Sequence, residues 1–560
     1  MADLPGEDPV ASGETPAPES LPTRGPSLSR AAAVMSTGTA LSRLTGFVRI
    51  AVTAWAIGGA ESKLPDTYAL ANSMPNMVYQ LVIGEVLATL FVPVFIEHIR
   101  TKAREEASAL ASSILSVATA VATAFTALTI VLAPWIIKIY TINVDDPATR
   151  AAQEEVGAFF LRLLMPQMIF YALTAVFTGL LNAHRRFGAP MFAPILNNLI
   201  VIATFLAFGM RNNGLVPELA TISLADKVLL GGGTTLGIAL SALALWPSVA
   251  RLRGGYRFGS LALRHPAVRR VGRLARYSFG YVIVNQIGLW IVFALANGER
   301  GGVAAYQAAW IIYQLPYGIF AVSVMTYLVP ALAEHHVAGN TAAVREDVSL
   351  GLRTTALVMI PAAAGYVALG RPIIRLVLEH GVFSFGSTQL FADTFVLMSL
   401  GLPIYAAFQQ VMRAFYAMQD TRTPLAVNVV AIGAQVASAL VLFPLLGVPG
   451  LGLAHAISYA TGLFVGASIL RARLGGLDAV RLTSAHARIA LAAVGMALGV
   501  WVVAREVAER VDIGLLPGQA AQVSAAIGTG LVLYLALAML LRVQELRPLL
   551  AIVRKRGRRE

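Results

Sequence analysis

The sequence predicts an all-α polytopic membrane protein with about 14 transmembrane helices, built as two six-helix lobes related by an internal repeat plus two C-terminal helices. Three observations predict it. The 560 residues are 57% hydrophobic and only 13% charged, with mean hydropathy +0.69, against about 25% charged in an ordinary soluble domain. Apolar runs of the roughly 20 residues a bilayer-spanning helix needs recur along the whole chain. Proline-centred motifs of the first half return in the second at a nearly constant offset.

The elements follow in order. Residues 1–28 are rich in Pro, Gly, Ser and Glu and lack an apolar run, so they read as a disordered cytoplasmic tail. The acidic start is unlike a signal peptide. Spans are expected at 29–59, 65–97, 107–137, 153–182, 189–210 and 228–250. The second set is 271–297, 302–333, 343–369, 387–417, 424–445 and 449–471, followed by 485–505 and 517–541. Lys and Arg gather on the loops that share a side with the N-terminal tail, which places both termini in the cytoplasm. The eight arginines from Arg251 to Arg276 fall between spans six and seven, where a two-lobed protein has its linker. They read as an orientation signal in contact with anionic lipid. The expected organisation is an N-lobe at 29–250, a basic cytoplasmic linker at 251–270, a C-lobe at 271–471, helices 13 and 14 within 472–541, and a basic cytoplasmic tail at 542–560.

The repeat is carried by three matches. Leu164-Met165-Pro166 corresponds to Gly401-Leu402-Pro403, shifted by 237 residues, and Pro93 to Pro330 by the same shift. The segment ending at Pro190 corresponds to the one ending at Pro424, shifted by 234. Six spans per unit give both halves the same orientation, the parallel-repeat arrangement of transporters whose site lies between lobes.

Composition excludes several chemistries. There is no cysteine, so thiolate metal sites, disulfides and Cys nucleophiles are absent. Only 5 of the 43 cations are lysine and none follows a glycine, so there is no phosphate-binding Gly-Lys-Ser/Thr loop. The eight histidines are scattered, and the adjacent His335-His336 lacks a ligand set. No enzyme activity, catalytic residue, metal or resident cofactor is expected; coupling to membrane potential or to a cation is.

The residues that point to function are cations at membrane depth. Arg43 and Arg49 lie in Ser42-Arg43-Leu44-Thr45-Gly46-Phe47-Val48-Arg49, inside the first span. A cation at bilayer depth costs about 2.5–3.5 kcal/mol on insertion scales and faces an aqueous cavity or a partner, so two in one helix suggest a cavity for an anion. Six residues apart is about 240° round a helix, so they share a face only if the helix bends, which Gly38 and Gly46 permit. Asp66 opens the second span, as a helix cap or as a partner of these arginines. Glu85 lies deep in that span, and Pro75-Asn76 interrupts it. Arg162 and Arg413 occupy equivalent places in spans four and ten, with Arg413 expected to snorkel. Asp393 is a candidate for ion coupling. Gln286, Gln307 and Gln314 are polar positions suited to interhelical hydrogen bonds.

At these residues the chain resembles the MurJ (MviN) family of lipid II flippases, in the multidrug/oligosaccharidyl-lipid/polysaccharide exporter superfamily. The resemblance covers roughly 29–540. It is carried by Ser42 to Arg49, Pro75-Asn76, Val92-Pro93-Val94-Phe95, Gly179 to Phe187, Gln314-Leu315-Pro316-Tyr317-Gly318, and Arg413 to Ala417 with Thr423-Pro424. It implies a flippase that moves lipid-linked peptidoglycan precursor to the outer leaflet by alternating access, with a cationic cavity and a groove for the polyprenyl tail at helices 13 and 14. It implies Arg43, Arg49, Asp66 and Asn76 as substrate-binding residues, with Ser42, Gly46, Tyr79, Glu85 and Gln314 as further cavity positions. Implied partners are lipid II, membrane lipids and proteins of cell division and cell-wall synthesis, with no nucleic acid. The chain departs from the family where Tyr79 replaces an arginine, where Trp310 to Tyr313 is uncharged, and where Gly84-Glu85 replaces Glu-Gly. An exporter of another polyprenyl-linked sugar or of drugs, or a non-transporting scaffold of the cell-wall machinery, are the alternative functions.

Overall fold

A computed structural model describes residues 28–81, 104–184, 186–252 and 266–546. The expected N-terminal tail, Glu85, Pro93, most of the basic linker and the end of the C-terminal tail lie outside them. The helices are α1 (Leu28–Ile57), α2 (Leu64–Tyr79), α3 (Arg104–Tyr140), α4 (Pro147–Leu164), α5 (Gln167–Ala183), α6 (Gly188–Arg211), α7 (Leu224–Leu243), α8 (Trp246–Ala250) and α9 (Pro266–Ala296). They continue as α10 (Gly302–Pro316), α11 (Val322–Val337), α12 (Thr341–Leu378), α13 (Phe385–Ser399), α14 (Leu402–Ala417), α15 (Arg422–Leu446), α16 (Val448–Arg473), α17 (Ala479–Arg510) and α18 (Leu516–Leu540). Among the described residues twelve helical segments are long and apolar enough to span a membrane, and thirteen when α13 and α14 count as one bent span. The expected second span is described only through α2.

Breaks fall where the backbone loses a donor. Proline lacks an N–H and cannot continue the helical ladder. Pro166 separates α4 from α5, and Gly401 with Pro403 turns α13 into α14 through 46°. Pro316 precedes a π-helical turn, Tyr317–Ala321, that joins α10 to α11.

The packing shows the repeat. In the first half α1 packs on α6, α6 on α7, α2 on α4 and α3 on α4; in the second, α9 packs on α15, α15 on α16, α10 on α13 and α12 on α13, the same pairs one unit later. The lobes meet through α2 with α10, α1 with α12, and α3 with α9, a set that maps onto itself when the halves are exchanged. Helices α17 and α18 lie outside this symmetry against α12, where Met496, Val500, Ala526 and Tyr534 form a separate core.

Helices alternate between a near face, where α1 begins, and a far face, where it ends. The lobes are bolted together at the far face. Lys63 Nζ donates to the Asn297 and Glu299 carbonyls at 2.7 and 2.8 Å. Gln153 and Asn297 exchange amide hydrogen bonds at 2.8 and 3.1 Å. Glu61 accepts from Ser384 N and Ser387 Oγ at 2.6 and 2.7 Å. Toward the near face, the described interlobe hydrogen bonds are the long ones from Gln286 to the Met77 carbonyl and Gln80, both 3.4 Å.

Candidate functional site: two chambers between the lobes

Among the described residues two chambers lie between the lobes. An N-lobe chamber of about 180 Å³ is walled mainly by α1, α2, α5, α6 and α7. A C-lobe chamber of about 460 Å³ is walled by α2, α9, α10, α15 and α16. Gln307 and Ile311 of α10 line both, and Gln307 Nε2 donates across the partition to the Ala69 carbonyl at 3.2 Å.

Arg49 is the only cation lining either chamber among the described residues, and no carboxylate lines either one. Its charge lies within reach of the Tyr68 and Tyr171 hydroxyls. Tyr68 Oη is tied to Thr234 Oγ1 at 2.8 Å and Tyr171 Oη donates to Gln167 Oε1 at 3.2 Å. Asn197, also in this wall, has a buried Oδ1 with no hydrogen-bond partner.

The neighbouring helix fixes the arginine helix. Asn198 Nδ2 donates to the Ser42 carbonyl at 3.2 Å and to Thr45 Oγ1 at 3.0 Å. A Cβ at Gly46 would sit 3.5 Å from that nitrogen, and one at Gly38 only 2.8 Å from Met191 Cβ. These glycines let α1 and α6 approach; α1 itself runs unbroken from Leu28 to Ile57. Ser42 and Gly46 therefore serve the helix contact and do not line a chamber.

The unbroken course of α1 separates the two arginines. Six residues advance the helix by about 9 Å and turn it by about 240°, so Arg49 faces the N-lobe chamber while Arg43, largely exposed, lies toward the near face. Its guanidinium sits against Gly318 in the π-helical turn, with Nη2 3.1 Å from where a Cβ would be. Arg413 reaches the Tyr317 hydroxyl of the same turn, within its own lobe, and is half-buried there.

Asp66 is the clearest departure from expectation. It is fully buried and outside both chambers. Its oxygens accept from Gly301 N (2.8 Å), Val303 N (3.0 Å) and Ala304 N (3.2 Å) at the start of α10, and from Lys63 Nζ at 3.2 Å. A carboxylate on free N–H groups at a helix N-terminus is held by dipole and hydrogen bonds together. In this conformation Asp66 has no face left for a substrate: it clamps the lobes.

The other expected positions divide. Asn76, Gln286, Gln307 and Gln314 line the C-lobe chamber. Tyr79 packs its ring on Tyr171, centroids 5.8 Å apart, and lines neither chamber. Arg162 is exposed on α4. Asp393 forms a largely exposed pair with Arg371 at 3.5 Å, away from the chambers. Residues that sequence reasoning missed are Asn72, Gln167, Asn197, Gln435 and His455, scattered over five helices with no local motif.

Comparison with known proteins decides the family. The family model described as "Lipid II flippase MurJ" matches residues 57–517. The chain belongs to the MurJ family. Relatives include a probable lipid II flippase MurJ of Rhizobium meliloti (strain 1021), 28% identical over 470 residues that cover 82% of this chain and 84% of the relative. Another, from Haemophilus influenzae, is 26% identical over 83% of this chain and 90% of its own length. In fold, the chain is similar to the solved structure of lipid II flippase MurJ in an inward closed conformation, with TM-score 0.71 at 21% identity over 91% of this chain and 99% of that one. It is also similar to an inward-facing multidrug resistance MATE transporter, with TM-score 0.63 at 14% identity over 79% of this chain and 98% of that one. With its apolar helices, family membership makes this a multi-pass protein of the bacterial inner membrane.

Proposed function

We propose that this chain moves lipid II, the lipid-linked peptidoglycan precursor, from the inner to the outer leaflet by alternating access, with both termini in the cytoplasm. One observation carries the reading beyond family membership: the interlobe chambers hold an arginine and ten amide side chains, and no carboxylate among the described residues. That lining suits an anionic, hydroxyl-rich cargo and offers a cationic drug no counter-charge. The near face is then cytoplasmic. Arg43, beside the π-helical turn, meets the diphosphate at the entrance, and Arg49 holds it inside, where low dielectric strengthens the ion pair. The polyprenyl tail stays in lipid along the apolar outer surface of α17 and α18, which exposes Leu491, Leu498, Trp501 and Leu531. An inside-negative potential favours outward movement of the anion by about 2.3 kcal/mol per charge per 100 mV.

The test reconstitutes the full chain in liposomes carrying lipid II and reads outer-leaflet exposure with an enzyme added outside. Wild type should expose lipid II faster than empty liposomes, and Arg49→Ala should not. Equal exposure with and without protein refutes the reading.

A further inference from the structure

The C-lobe chamber is built differently from its neighbour. Its volume, about 460 Å³, falls inside the roughly 300–1,000 Å³ of small-molecule sites, and the N-lobe chamber falls below it. Among the described residues no charged side chain lines it. His455 of α16, only 4% exposed, sits in a box of aromatic rings, with centroids 5.0 Å from Trp310, 4.8 Å from Tyr459 and 6.4 Å from Tyr306. Its Nδ1 is 3.4 Å from the Tyr306 hydroxyl, which Gln435 also contacts. Its Nε2 has no partner, and neither does Oε1 of Gln286 in the same wall.

Buried polar atoms are normally hydrogen-bonded, and each exception calls for an explanation. Among the described residues an anion would find no cation here, a cation no carboxylate, and an apolar guest would leave Nε2 and Oε1 unpaired. A sugar suits this lining: its C–H face packs on an aromatic ring, its hydroxyl and N-acetyl groups pair with neutral amides, and it reaches Nε2 and Oε1 once the imidazole and amide turn toward the chamber. We propose that the C-lobe chamber is the sugar subsite, holding a neutral N-acetylated saccharide while Arg49 holds the phosphate in the other chamber. This rests on the cargo reading above and assigns parts of that cargo to separate places.

The chain has no cysteine, so single substitutions report each chamber cleanly: Ser73→Cys lines the C-lobe chamber and Thr53→Cys the N-lobe chamber. Thiol-labelling rates are measured on purified full-length protein with N,N′-diacetylchitobiose, inorganic pyrophosphate or a short alanyl peptide. The disaccharide should slow labelling of the Ser73→Cys variant alone, and pyrophosphate that of the Thr53→Cys variant alone. His455→Phe and Gln435→Leu should each raise the half-protecting disaccharide concentration about tenfold, the scale of one lost buried hydrogen bond. Retained pyrophosphate protection in those backgrounds shows that they are folded. Disaccharide protection of both cysteines or neither, protection insensitive to both substitutions, or protection of the Ser73→Cys variant by the peptide alone overturns the proposal. Loss of lipid II flipping with chamber-specific protection intact would instead condemn the cargo reading and leave this one standing.

Discussion

Arg43 and Arg49 show how one helix assigns two tasks to the same side chain. Because α1 is unbroken, a turn of about 240° sends one guanidinium to the chamber and the other to the π-helical turn. Arg49→Ala should weaken pyrophosphate binding about 10- to 150-fold, the worth of a hydrogen bond to a charged group, about 1.5–3 kcal/mol, in titration calorimetry on purified protein. Arg43→Ala should change that affinity by a few-fold at most while lowering the flipping rate in liposomes. Equal losses of affinity would place both arginines on one anion and contradict the geometry. Arg49's place beside a chamber was legible in the sequence because a charge within an apolar run is conspicuous. The division into two chambers was not, because Gln, Asn and Tyr within a span look alike whether they face a chamber or a neighbouring helix. His455, Gln435 and Asn197 become a site only through packing between helices far apart in the chain.

Among elements, the span order was readable because bilayer thickness imposes its own length on each apolar run, whereas the breaks at Pro166 and Pro403 fall inside the expected single spans 153–182 and 387–417. The long ends were not: α12 extends to Leu378, well past the apolar run. Nearer its start, Arg353 forms a part-buried ion pair with Glu545 at 2.8 Å. This pair, with the bond from Tyr534 Oη to the Leu357 carbonyl at 2.7 Å, fastens the C-terminal helices to the C-lobe. Arg353→Leu leaves Glu545 buried without a counter-charge, at a cost of about 3–5 kcal/mol. Its thermal midpoint in detergent should fall, and the double variant with Glu545→Leu should recover most of the loss. The start of α10 is equally constrained. Gly301 adopts φ +76°, and a Cβ on Gly302 would come within 2.1 Å of the Ala296 carbonyl oxygen. Gly302→Ala should therefore displace the N–H groups that hold Asp66 and destabilise the protein by about 1–3 kcal/mol, as overpacking does. An unchanged thermal midpoint would show that the turn has slack.

At the scale of the molecule, the asymmetry between faces sets the conformational equilibrium. The far-face bolts join lobe to lobe and have no equal among the described residues of the near face. Asp66→Asn keeps the size of the clamp but leaves Lys63 as an uncompensated buried charge, so spin labels across the far face should report a longer mean separation than in wild type. Glu61, in the loop before α2, adds a pH dependence. Burial alone would raise its carboxyl, but the Ser384 N–H, the Ser387 hydroxyl and the Gly59 N–H hold it below the ordinary value of 4.5. A depressed carboxyl contributes to the closed state fully above that ordinary value and loses its contribution as pH falls through the lowered one. The same spin-label distance should stay constant near neutrality and lengthen in acid, and Glu61→Gln should weaken that trend, leaving the share that comes from Asp66. One consequence of the far-face seal concerns water. Each donor and acceptor now paired across it must find a solvent partner once the lobes part, so opening draws in a definite number of water molecules. Osmotic stress from solutes too large to enter should then bias the transporter shut, and the slope of transport rate against osmolality would count the molecules the gate takes up.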